Sequence, residues 1–219
     1  VMVTGGGSTP GTSFMRSQYS AAELSAIADD AHRLGRKVTG HVHGTEGVRM
    51  AVEAGFDGLE HCSMLRTSWV DPHYEPDLGR AIADRGIAVC RTVTGGERAP
   101  FDEMDERHPL WTQFEVLRQL VRAGATVVAG TDAGIDGTGF DGLPASLASL
   151  VRLGGMSPAR ALRAATAAAA EALGLGAEIG TLGKGKRADF LAVDGDPLED
   201  IRALCSVRAV YRDGTAVPR

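Results

Sequence analysis

The sequence predicts an α/β fold in which short strands and helices alternate around a parallel sheet, and three observations predict it. Segments with helical spacing of apolar residues alternate with short apolar or period-two segments as far as residue 174. Glycines stand just past the predicted helix ends, and there are 29 glycines in 219 residues, roughly double the usual ~7%. Residues 125–132, Ala-Thr-Val-Val-Ala-Gly-Thr-Asp, are almost continuously apolar, as a parallel strand covered on both faces should be.

The elements follow in order. Residues 1–4 read as a first strand. Ser20 and Glu23 form an S-x-x-E capping box for a helix with Leu24, Ile27, Ala28, Ala31 and Leu34 on one face, closed by Gly35. In residues 37–43 the period of two puts Val38, Gly40 and Val42 on one face and Thr39, His41 and His43 on the other. A helix over 46–54 closed by Gly55, a strand over 57–61, a helix over 76–85 closed by Gly86 and a strand over 87–93 continue the alternation. A helix over 110–123 closed by Gly124 precedes the strand 125–132, and Ser157-Pro158 caps one last helix running to Gly174. Five strand–helix units result, whose sheet is either open and doubly wound or closed into a barrel. A barrel needs eight units and ~250 residues, so in that case the chain supplies the C-terminal five. From residue 176 the pattern changes to short β-like runs, 188–193 and 207–211, read as part of a small β appendage.

Composition narrows the function classes. Hydrophobic residues make up 43% and charged residues 23%, with a formal net charge of −5, an ordinary globular balance that gives no electrostatic grip on nucleic acid or a membrane surface. No apolar run approaches the ~20 residues that span a bilayer. Cys62, Cys90 and Cys205 lack paired spacing, which indicates neither a disulfide framework nor a zinc knuckle and suits a cytoplasmic setting.

The chemistry-bearing residues gather at predicted strand ends. His41, His61 and Asp132 each fall at the C-terminal end of a strand, where a barrel collects its functional groups. Two imidazoles and a carboxylate suit zinc or a similar divalent ion. His32, His73 and His108 read as surface histidines, and Cys62 as a small buried hydrophobe. Residues 180–186, Gly-Thr-Leu-Gly-Lys-Gly-Lys, match part of a P-loop, but Arg187 stands where Ser or Thr should follow and a strand replaces the helix. Gly5-Gly6-Gly7 could cradle a phosphate; the preferred reading is that these glycines let backbone pass close to a ligand.

These motifs together resemble the metal-dependent amidohydrolase superfamily: Val3-Thr4-Gly5-Gly6, Gly40-His41-Val42-His43-Gly44, Glu60-His61 and Gly130-Thr131-Asp132-Ala133-Gly134. The likeness is to the branch related to imidazolonepropionase and to the Xaa-Pro and Xaa-Arg dipeptidases. Ser157-Pro158, residues 180–189 and Asp194-Gly195-Asp196-Pro197 agree with it, so it covers nearly the whole chain. It implies five units of a (β/α)8 TIM-type barrel over residues 1–175 and the C-terminal piece of a small β-sandwich domain over 176–219. It also implies that His41 and His61 bind one of two divalent metal ions, with zinc expected. Asp132 binds the other and shuttles protons, and His43 lies beside the substrate.

The family's early H-x-H pair and its bridging carboxylated lysine, which usually sits just before the Val-Met-Val-Thr-Gly-Gly segment, are not in this sequence. The sequence is therefore expected to be the C-terminal part of a ~400-residue enzyme. The implied activity is hydrolysis of an amide or related C–N bond, in a dipeptide, N-acyl amino acid, cyclic amide or urea, by a metal-activated bridging water. A small-molecule substrate and a homo-oligomer are expected. The rival readings are a metal-independent barrel lyase or isomerase using residues 5–7 for phosphate, and a non-catalytic binding module.

Overall fold

The structure, a computed structural model, describes residues 1–7, 9–92, 111–135 and 138–218. Strands β1 (Thr39–Gly44), β2 (Gly58–Leu65), β3 (Ala88–Thr92) and β4 (Thr126–Gly130) form one sheet in that order. β1 pairs parallel with β2 and β2 parallel with β3. Helices α1 (Ala21–Arg33), α2 (Thr45–Glu53), α3 (Pro76–Asp84) and α4 (Trp111–Arg122) alternate with these strands, as the hydrophobic periodicity predicts. The chain divides into two compact units, residues 1–92 with 111–127 and residues 128–218.

In the first unit the cap residues define the helix ends. Ser20 Oγ accepts from the Glu23 backbone N–H while the Glu23 carboxylate accepts from the Ser20 N–H, so both halves of the capping box form. Leu24 and Ala28 of α1, Val48 and Val52 of α2, and Leu78 and Ile82 of α3 share one buried cluster with Val42, Leu59 and Val89 of the strands. Burying each large aliphatic side chain stabilises by ~1.5–3 kcal/mol, which fixes the strand register and hence the side chains at the strand ends. His32 keeps to the surface as expected: its Nε2 lies 2.9 Å from Asp57 Oδ2, which also accepts from the Val38 N–H. The bond ties the end of α1 to the start of β2.

Residues 1–4 form isolated bridges, Met2 with His41 and Thr4 with Ser17, instead of the expected strand. They still lie along β1, because the His41 N–H donates to Val1 O and the Thr4 N–H to His41 O.

The second unit holds α5 (Leu143–Arg152), α6 (Pro158–Ala165), α7 (Ala167–Ala172) and an antiparallel sheet of β5 (Phe190–Val193), β6 (Val207–Arg212) and β7 (Thr215–Ala216). The single helix expected after Ser157 is broken at Thr166, whose φ of −129° and ψ of −96° interrupt it between α6 and α7. The Thr166 hydroxyl donates to the Leu162 carbonyl at 2.7 Å, a back-bond that bends helices. Helix α5 was not anticipated by the sequence reading. Its N-cap is Gly142, with no side-chain capping bond, and the start signal it carries is Pro144 in its first turn. Phe190 and Tyr211 stack at 4.3 Å across the β5–β6 pair.

Candidate metal centre

β1 and β2 bring three histidines together. His41, His43 and His61 each offer a ring nitrogen, and these atoms lie within 4.8 Å of one another. His61 Nε2 is 2.9 Å from His41 Nδ1, and the His43 and His61 rings stack with centroids 4.4 Å apart.

Regular pleating alone does not produce this meeting. His41 stands opposite Glu60 in the β1–β2 register, and Val42 opposite His61. Register partners share a face of a sheet, so a regular β2 would point His61 to the Val42 side, away from His41. Instead His61 and Cys62 take the left-handed conformation, with φ of 66° and 47°, and Met64 follows with 48°. That turn swings the His61 ring back to His41. Conformations of this kind cost ~1–3 kcal/mol each for non-glycine residues and persist where the surroundings over-determine them.

Each inner ring is held at its other nitrogen by a hydroxyl. His61 Nδ1 lies 2.6 Å from Thr92 Oγ1, and His43 Nδ1 lies 3.1 Å from Ser63 Oγ. Such outer partners fix the ring orientation of metal-ligating histidines. Burial, then the neighbouring His61, His41 and Arg91, hold His43 down to about 2; burial, His41 and Arg91 hold His61 down to about 3. Both imidazoles are therefore neutral near pH 7. Neutral imidazoles offer lone pairs that fit a divalent cation, and two nitrogens 2.9 Å apart can both reach one ion at ~2.0–2.1 Å.

Around the rings sits a set of residues that the sequence reading did not single out. Arg91 is buried at 8% exposure. It donates from Nη1 to the His61 carbonyl at 3.3 Å and to Ser63 Oγ at 3.4 Å, and from Nη2 to Gln113 Oε1 at 2.7 Å. Gln113 Nε2 donates to the Trp69 carbonyl at 2.9 Å. The Trp69 ring meets His43 edge-on at 4.7 Å and stacks on Phe14 at 4.3 Å. The available signal was an arginine inside the apolar strand Ile87-Ala-Val-Cys-Arg-Thr, since buried arginine is rare unless paired.

Asp132 belongs to the second unit, two residues beyond β4, where it is exposed and takes a φ of 57°. His73 is exposed as expected, and His108 lies outside the described residues. The P-loop-like segment makes no phosphate cradle: Lys186 Nζ donates to the carbonyls of Gly176 and Ile179. At residues 5–7 the close neighbours are protein. A Cβ on Gly7 would meet the Trp69 ring at 2.5 Å, and one on Gly5 would meet the Ser13 backbone at 2.7 Å.

Cys62 is 1% exposed, and burial pushes its thiol up to about 12 despite the nearby Arg91. A thiol so held supplies almost no thiolate at neutral pH, which removes it as a nucleophile. In the folded protein Cys62 is expected to stay unlabelled by a soluble thiol reagent at pH 7.5, and to react only on denaturation. Peptide mapping after labelling checks this, and stoichiometric native-state modification of Cys62 would refute it.

Comparisons with known proteins place the chain in a family. The Amidohydrolase family pattern matches residues 11–217. Ochratoxinase of Aspergillus niger is 31% identical over 212 residues, 96% of this chain and 43% of its own length. Imidazolonepropionase of Salinispora arenicola is 33% identical over 148 residues, 68% of this chain and 33% of its own length. A solved Xaa-Pro dipeptidase with bound methionine in its active site superposes with a TM-score of 0.82 at 26% identity, over 99% of this chain and 53% of its own. The chain thus spans about half the length or less of the proteins it matches. On the match across residues 11–217, the chain belongs to the amidohydrolase family.

Proposed function

We propose that this chain forms the C-terminal part of a metal-dependent hydrolase that cleaves an amide or related C–N bond in a small molecule. The observation that carries the reading is the contact of His61 Nε2 with His41 Nδ1 at 2.9 Å, achieved through a strained turn, in a chain of the amidohydrolase family. His41 and His61 would hold one divalent ion. When bound, the metal centre supplies a water nucleophile at neutral pH and polarises the substrate carbonyl. His43 donates a hydrogen bond to the carbonyl oxygen as it gains negative charge. Asp132, also a metal ligand in this reading, takes the proton from the attacking water and delivers it to the leaving nitrogen, acting as base and then as acid.

The finer elements of the proposal are two ions, with zinc as the metal, a carboxylated lysine contributed by the rest of the protein, and a cytoplasmic homo-oligomer. The catalytic part is a (β/α)8 barrel to which residues 1–175 contribute, and residues 176–219 contribute to a small β domain. Among the described residues no helix is long and apolar enough to cross a membrane. The substrate search covers dipeptides, N-acyl amino acids, cyclic amides and ureas.

The test uses the full-length protein. Metal analysis is expected to find stoichiometric divalent metal, and chelation is expected to abolish turnover of at least one member of that substrate panel, with recovery on re-addition of zinc. Turnover that survives complete metal removal would overturn the reading.

A further inference from the structure

The residues behind the histidines form a closed ring of contacts: Arg91 to Ser63, Ser63 to His43, His43 against Trp69, Trp69 to Gln113, and Gln113 back to Arg91. We infer that Arg91 is a positioning residue which, through Ser63, holds His43 in the tautomer with a bare Nδ1 and a protonated Nε2, making His43 a hydrogen-bond donor to the substrate and not a third metal ligand. The inference rests on the hydrolase reading for its catalytic consequence, but the tautomer itself does not.

The direction of each bond follows from what each group can do. A guanidinium only donates, so Ser63 Oγ accepts from Arg91 Nη1 and Gln113 Oε1 accepts from Arg91 Nη2. With its oxygen facing Arg91, the Gln113 amide must turn its NH2 to the Trp69 carbonyl, as it does at 2.9 Å. Ser63 is 1% exposed, and its hydroxyl has one hydrogen to place. Among the described residues its polar partners are Arg91, which cannot accept, and His43 Nδ1. Donating to Nδ1 satisfies both the Ser63 hydroxyl and the His43 ring nitrogen. The opposite arrangement, with Nδ1–H donating to Ser63, leaves a buried O–H without an acceptor, which native interiors avoid.

The consequence separates the three clustered histidines into two kinds. A ligating imidazole offers a lone pair to the cation, whereas His43 carries its proton on Nε2 and has spent its Nδ1 lone pair on Ser63. His43 thus presents an N–H. The same arginine donates to the His61 carbonyl at the left-handed turn. One buried cation therefore braces both the turn that aims a metal ligand and the hydroxyl that sets the donor beside it.

The test is nitrogen NMR of the full-length, metal-free protein labelled with 15N-histidine, with His43 assigned by loss of its signals in His43→Gln. Wild-type His43 is expected to show a pyridine-type Nδ1 and a protonated Nε2, and Ser63→Ala and Arg91→Met are each expected to convert it to a mixture of tautomers. A protonated Nδ1 in the wild type, or a pattern unmoved by Ser63→Ala, overturns the inference. If Arg91→Met fails to fold, Ser63→Ala, which removes a single oxygen, still decides whether Ser63 sets the tautomer. Arg91→Lys, which keeps a buried donor and charge, then tests the arginine. It is expected to retain more of the wild-type pattern than Ser63→Ala, and equal loss overturns the role of Arg91.

On whichever substrate the panel yields, Ser63→Ala is expected to keep its metal and lose about tenfold in kcat with a smaller change in KM. Loss of metal from Ser63→Ala would mark His43 as a ligand and overturn the inference. Absence of turnover across the panel would count against the hydrolase reading alone, because the nitrogen spectrum decides the tautomer independently.

Discussion

Asp132→Asn in the full-length protein is expected to keep the fold and lower turnover by ~10²–10⁴-fold, the range for loss of a general acid–base group. The fold should survive for two reasons. Asp132 is exposed, so the change removes no core contact. Its φ of 57° lies in the left-handed region, where Asn is tolerated as readily as Asp. The chemistry should not survive, because an amide is nearly isosteric with a carboxylate yet ligates metal poorly and cannot carry a proton between water and the leaving nitrogen. The measurement is kcat alongside metal content and thermal unfolding. A loss smaller than about tenfold, with metal still bound, would assign the proton transfer to another residue.

Most of the secondary structure was legible because local chemistry agreed with tertiary need. The Ser20–Glu23 box starts α1 where expected, and Gly35, Gly55, Gly86 and Gly124 follow their helices with positive φ, as the sequence reading requires. Where local signals were weak or misleading, the reading failed. Helix α5 begins at a glycine with no capping side chain, and Thr166 interrupts a run whose alanines read as one continuous helix.

Of the candidate site, the three clustered histidines were legible as residues but not in their geometry. His41 and His43 share a face by simple alternation. His61 does not reach them by alternation, and its approach depends on the left-handed turn at 61–62, which neither histidine nor cysteine announces. The supporting ring of Arg91, Ser63, Gln113 and Trp69 was invisible for a different reason. Its members come from β2, the segment after it, β3 and α4, and only packing brings them together.

His61→Asn is expected to cost at least about a hundredfold in metal affinity, more than the ~10–100-fold typical when only an outer partner of a ligand is removed. Asparagine accepts the left-handed φ of 66° and can still reach Thr92 with its amide, so the change isolates the ligand from the turn that aims it. Two readouts follow. Metal bound only to the folded state stabilises by ~2.7 kcal/mol at a hundred times its Kd, so chelation should lower the Tm of the wild type and leave that of His61→Asn nearly unchanged. Turnover should fall with metal occupancy. The contact of His61 Nε2 with His41 Nδ1 sharpens the test: ligands of one ion act as a unit, and their removal is non-additive. His41→Asn should therefore reproduce the loss, and the double variant should be little worse than either single one. If the two losses multiply instead, or if His61→Asn keeps stoichiometric metal and its chelator-sensitive Tm, the two histidines do not share an ion and the metal centre lies elsewhere.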